Sequence, residues 1–143
     1  MRRRRASREV ALRALFQVDV GGMTPQAALE FTASEGDYGG DVLQFAQELA
    51  EGTADRERAI DQVIARYARG WTLARMANVD RNILRLAVYE LLYLPDIPPS
   101  VSVDEAVELA KKYSTAESGR FVNGVLGNLV RNLEAERGEV ESP

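Results

Sequence analysis

The segment from Ile83 to Leu94 constrains the fold of this chain more than any other. Ile83, Leu84, Leu86, Ala87, Val88, Leu91 and Leu92 fall on almost every side of the helix that their spacing predicts. A helix that is apolar nearly all round needs neighbours on several sides, so it belongs in the middle of a bundle. Arg85 and Glu90 interrupt the run, which is also too short to cross a bilayer.

The rest of the chain supplies the neighbours, and the predicted class is all-α. No convincing stretch of strict apolar and polar alternation occurs. A first helix is expected from about Arg5 to Val20, stopped by Gly21-Gly22. Thr24-Pro25 opens a short helix to about Ala33, with threonine as cap and proline at the first position. After a loop over Gly36 to Gly40, Asp41 and Gln44 read as a capping box. The helical pattern then runs to about Arg69, with a bend or break near Gly52-Thr53. Gly70-Trp71 punctuates, and Leu73 to Ala77 reads as a turn. Asp80 starts the apolar helix, which reaches Tyr93, and Pro95, Pro98 and Pro99 stop it. Ser102 with Glu105, and Ser114 with Glu117, read as capping boxes for helices to about Tyr113 and about Glu136. The acidic tail from Gly138 is expected to fray. The sum is a bundle of six or seven helices in one domain over 1–143. Its subdomains are expected at about 1–70 and 71–137, with the tail at 138–143.

Composition narrows the chemistry. The chain has no cysteine and no histidine. Disulfides and thiolate metal sites are excluded, and so are the commonest general base and the commonest metal ligand. No clustered acidic loop suits calcium, no glycine loop follows a strand, and no Ser-Lys pair completes a nucleophile. The expectation is therefore a protein that is not an enzyme, with no cofactor and no metal. No secretory signal core is visible and no segment could span a membrane, so a cytoplasmic location is expected.

Charge points to a different activity. The formal net charge is −4, yet residues 1–13 carry Arg2, Arg3, Arg4, Arg5, Arg8 and Arg13 against Glu9 alone. That end is locally +5, which leaves −9 on the remainder. Such asymmetry fits a nucleic-acid contact through one basic end. Guanidinium groups grip phosphates in a fork, and single-stranded RNA also needs flat surfaces for its bases. On the first helix, Val10, Ala11, Ala14, Leu15 and Val18 form the apolar stripe, while Leu12 and Phe16 fall on the side of Arg5 and Glu9. Two readings stand for this end: an RNA or partner surface, or a solvated terminus with Phe16 packed on a neighbour. Phe121, also off its stripe, has Arg120, Asn123 and Gly124 nearby. It is either a stacking platform with Asn123 as a hydrogen-bonding group, or a core residue. Gly119, Gly124 and Gly127 each cost about 1 kcal/mol relative to alanine inside a helix. They allow close helix packing or leave backbone open to a ligand. Arg81 and Arg85 lie one turn apart; either an internal salt bridge, for example to Glu90 or Glu105, holds one of them, or Arg85 adds to the RNA surface.

Four collinear segments carry a resemblance. They are Arg4-Arg5-Ala6-Ser7-Arg8-Glu9-Val10-Ala11-Leu12-Arg13-Ala14-Leu15-Phe16, then Asp80-Arg81-Asn82-Ile83-Leu84-Arg85-Leu86-Ala87-Val88-Tyr89-Glu90-Leu91, then Val103-Asp104-Glu105-Ala106-Val107-Glu108-Leu109-Ala110-Lys111, and Phe121-Val122-Asn123-Gly124-Val125-Leu126. In this order they resemble the NusB family of bacterial transcription antitermination factors. The resemblance implies two small helical bundles and binding to the boxA element of nascent ribosomal RNA transcripts. It implies a partner, the ribosomal protein that acts as NusE, within an antitermination complex on RNA polymerase. It places RNA contact at the amino-terminal arginines, Arg85, Glu117 and Phe121, with Phe16 and Asp80 on or near the partner side. The family also contains members that dimerise, and similar domains precede the catalytic domain of some ribosomal RNA methyltransferases. A self-associating module and a methyltransferase accessory are the alternatives.

Overall fold

A computed structural model describes residues 2–141, with side chains described from Arg4 to Val140. Among these residues eight α-helices and one short 3-10 helix account for the regular structure. The chain forms two compact units, one ending at Arg56 and the other beginning at Glu57.

The first unit holds α1 (Arg2–Gly21), α2 (Pro25–Ser34) and α3 (Gly40–Asp55). α1 ends where Gly22 takes a φ of 70°, a left-handed conformation that favours glycine. Thr24 caps α2 as expected: its hydroxyl oxygen accepts the Ala27 N–H at 3.2 Å, and Pro25 follows at the first position. The expected Asp41 cap is not used. α3 begins two residues earlier, with Gly39 as cap, and Asp41 lies in the first turn where its charge suits the helix dipole. α1 packs against both α2 and α3, and the Ser7 hydroxyl donates to the Val42 carbonyl at 2.8 Å. The apolar stripe on α1 is buried through Val10, Ala11, Ala14 and Leu15. Leu12, expected off the stripe, is just as enclosed, with 3% of its surface exposed. One stripe does not describe a helix that packs against two others.

The second unit holds α4 (Glu57–Tyr67), the 3-10 helix (Leu73–Arg75), α5 (Asn78–Tyr93), α6 (Pro99–Tyr113), α7 (Ala116–Arg131) and α8 (Leu133–Glu141). α5 is its centre. Every residue from Asn82 to Leu92 is buried, and α4, α6, α7 and α8 all pack against it. The all-round apolar pattern therefore has the meaning its sequence predicts. Because α4 packs on α5 and α7, it belongs to this unit. The division thus falls at the break after Asp55 rather than near residue 70. Gly70, at φ 79°, serves as a turn within the second unit.

Two further expectations change at helix starts. Pro99 is the first residue of α6 rather than a stop, so Ser102 is already inside the helix. Its hydroxyl donates to Glu90 Oε1 at 2.9 Å, satisfying a buried carboxylate on α5. At α7 the cap is Thr115, not Ser114, and its oxygen accepts the Ser118 N–H at 3.0 Å. The last helix also differs: α7 stops at Arg131 and α8 continues to Glu141, through residues expected to fray. Glu136 anchors α8 to α4 by accepting from Arg66 Nη2 at 2.6 Å and from the Tyr67 hydroxyl at 2.5 Å. Arg137 Nε donates to the Leu91 carbonyl at 2.9 Å. No helix among the described residues is long and apolar enough to cross a membrane.

Candidate nucleic-acid interface

The basic amino terminus is partly absorbed into the first unit. The side chains of Arg2 and Arg3 lie outside the described residues. Arg4 sets its guanidinium 4.5 Å from the centre of the Phe45 ring on α3, a cation–π contact. Arg5 is exposed. Arg8, expected among the RNA contacts, is buried with 3% exposure, so it is a structural residue rather than an open phosphate ligand. Arg13 donates to Glu35 Oε1 at 2.8 Å, tying α1 to the end of α2. Phe16 is half-buried on α1.

The expected role of Arg85 also changes. It is buried, and Nε and Nη2 grip the two oxygens of Asp61 at 2.8 and 2.9 Å. Glu57 adds a second carboxylate 3.5 Å from Nη1. This bidentate pair fixes α4 to α5 and occupies the fork that a phosphate would need. Asp61 and Glu57, both on α4, are carboxylates that hold Arg85. Arg81 is structural as well, donating to the Leu73 carbonyl at 2.9 Å and to Asn78 Oδ1 at 2.6 Å.

α7 presents a different surface. Its buried stripe is Val122, Val125, Leu126 and Leu129. The opposite face carries Glu117, Arg120, Phe121 and Gly124, which share one side at 100° per residue. Glu117, Arg120 and Gly124 are exposed, and Phe121 is half-buried. Asn123 is exposed too, but it stands roughly 200° round the helix from Phe121 and does not share its face. The three glycines divide. Gly119 is buried, and a Cβ there would meet Lys111 Cγ at 3.3 Å, so it permits close packing of α7 on α6. A Cβ on Gly124 or Gly127 would meet open space, so packing explains neither.

Phe121 does not stand alone. Its ring meets Trp71 edge-on, with centroids 5.7 Å apart and planes at 64°. The guanidinium of Arg75 lies 5.7 Å from the Trp71 ring centre. Together Trp71, Arg75, Asp80, Glu117, Ser118 and Phe121 line a cavity of about 460 Å³. Asp80, expected towards a protein partner, is 8% exposed and takes a hydrogen bond from the Ser118 hydroxyl at 3.0 Å. The structure thus gathers Asp80, Glu117 and Phe121 into one site. Trp71 and Arg75 were not among the expected residues. Trp71 is the single tryptophan and follows the punctuating Gly70, outside any helical period that could have assigned it a face.

The NusB family profile matches residues 5–131. A transcription antitermination protein NusB of Symbiobacterium thermophilum is 47% identical over 97% of this chain and 96% of its own length. Among solved structures, NusB of T. maritima is 39% identical with a TM-score of 0.85, covering 95% of this chain and 96% of that one. A second, 30% identical with a TM-score of 0.86, covers 92% of this chain and 98% of its own; it is from a crystal structure of antitermination factors NusB and NusE in complex with double-stranded RNA.

Proposed function

Because this chain belongs to the NusB family, we propose that it binds the boxA segment of nascent ribosomal RNA transcripts together with NusE, within an antitermination complex on RNA polymerase. The observation that carries this is the exposed face of α7, where Phe121 stands half-open beside Arg120. An aromatic ring held at a surface next to a guanidinium suits unpaired bases, which stack on any flat π-face while cations hold the backbone. Arg4 and Arg5, in the first unit, supply phosphate contacts. The neighbour solved with NusE and double-stranded RNA supports the partner and the class of ligand. The choice of unpaired RNA rests on Phe121.

Titration of labelled boxA RNA, with and without NusE at two salt concentrations, tests the proposal. Affinity is expected to rise with NusE and to fall with salt, with a logarithmic slope of about −0.7 per phosphate neutralised. A duplex of the same sequence should bind more weakly. Indifference to salt, or equal affinity for scrambled RNA with NusE present, would defeat it.

A further inference from the structure

The cavity beside Phe121 has the wrong charge for a phosphate and the right surfaces for a base. Its lining holds two carboxylates, Asp80 and Glu117, against one cation, Arg75. Ser118 donates its hydroxyl to Asp80 Oδ2, and Thr115 Oγ1 accepts the Ser118 N–H. Asp80 Oδ1 is buried and receives no hydrogen bond among the described residues. Carboxylates therefore outnumber cations in the lining, and Asp80 and Glu117 offer oxygens to a donor on the ligand. Its apolar part is a corner of two rings, one offering a face and the other an edge. Trp71 keeps 47% of its surface exposed, an unusual amount of open apolar ring for a residue held in place by its neighbours. The volume is within the usual range of small-ligand clefts, roughly 300–1,000 Å³.

We propose that this cavity takes one unpaired nucleobase carrying an exocyclic amino group, stacked in the corner of Trp71 and Phe121 with the amino group turned towards Glu117. Arg75, exposed at the rim, takes the adjoining phosphate. The proposal rests on the RNA-binding function above and adds two contact residues, Trp71 and Arg75, and a base preference. Cytosine and uracil separate the effect of the amino group from that of ring size. Cytosine presents an amino donor where uracil presents a carbonyl acceptor. Facing a carboxylate, the first forms a charge-assisted hydrogen bond and the second is repelled.

The single tryptophan makes the test direct, because its emission reports occupancy of the corner. The intact protein is titrated with oligocytidine and oligouridine of equal length, reading Trp71 emission and, in parallel, the polarisation of end-labelled RNA. Oligocytidine should change the emission and bind about tenfold tighter than oligouridine, the size expected of one hydrogen bond to a charged group. Glu117→Gln should remove that preference, since an amide can donate to the uracil carbonyl. Trp71→Leu should weaken oligocytidine roughly tenfold by removing a stacking surface. If RNA binds but the two oligomers are equal and the emission is unmoved, the base pocket is wrong and the RNA-binding function stands. If neither oligomer binds while boxA RNA does, the base pocket is wrong and the RNA-binding function stands; if boxA RNA also fails to bind, alone or with NusE, both fall.

Discussion

The arginines of α1 and the face of α7 look alike as strings of charge and aromatic residues, and the fold treats them differently. On α1, Arg4 lies against Phe45, Arg8 is buried and Arg13 is paired with Glu35. On α7, Glu117 and Arg120 remain at the surface beside a half-open ring. α5 adds a third case, since Arg85 is held by Asp61 and Glu57. The lesson is that a cation marks a binding surface only when the fold leaves its donors available. Charge density along the chain does not measure that.

The largest expected effect separates structural from binding arginines. Asp61→Ala removes the bidentate carboxylate from the buried Arg85 guanidinium, leaving Glu57 at a longer distance, and should cost about 3 kcal/mol in urea unfolding. The RNA affinity of the folded protein should be unchanged; selective loss of RNA binding without loss of stability would return Arg85 to the interface. Next, Phe121→Ala should weaken unpaired RNA roughly tenfold by loss of stacking, leaving the salt slope as it was. Arg5→Ala should instead reduce the slope by about 0.7. If both variants alter affinity and slope in the same way, the division between base contacts and phosphate contacts fails.

A smaller effect concerns the anchor of α8. The hydrogen bond from Arg66 holds the Glu136 carboxyl below the usual glutamate range, against the opposing effect of burial, and the Tyr67 hydroxyl lowers it further. Burial, then the bond to Glu136, raises the Tyr67 phenol above its ordinary value. The lowered carboxyl contributes stability above the unfolded glutamate value and loses it as pH falls through the folded one. The raised phenol contributes below the unfolded tyrosine value and loses it as pH rises through the folded one. The anchor should therefore be complete between roughly pH 5 and pH 10. Glu136→Gln should cost about 1 kcal/mol at neutral pH, and thermal unfolding should show the gap to the parent closing in acid. Smallest is Gly124→Ala. With open space for the new methyl, it should stabilise α7 by up to about 1 kcal/mol. Weaker RNA binding by the more stable variant would show that a ligand approaches the bare backbone; unchanged binding would remove Gly124 from the face.

Much of the fold was legible because helix phase is a local property. The period of apolar residues identified α5 as the buried centre, and Thr24-Pro25 announced α2. Helix starts were less legible. Ser102 has the composition of a cap, but its hydroxyl answers Glu90 twelve residues earlier. At the amino-terminal half of the expected site Arg8 went into packing while Arg4 and Arg5 stayed exposed, and Glu117, Arg120 and Phe121 share one face of α7. Asn123 did not join them, because two residues of helix turn it away.

The sequence by itself determined that the chain is helical, that Ile83 to Leu92 lies at a core, that histidine and cysteine chemistry is absent, and that its motifs belong with the NusB family. Those properties depend on composition and on neighbours within a turn or two. Only the tertiary structure decided which charges are available. The partner of Arg85 is 24 positions away and that of Arg66 is 70 away. Trp71 meets Phe121 across 50 positions of the chain. Such contacts follow from how helices pack, and no local periodicity encodes them.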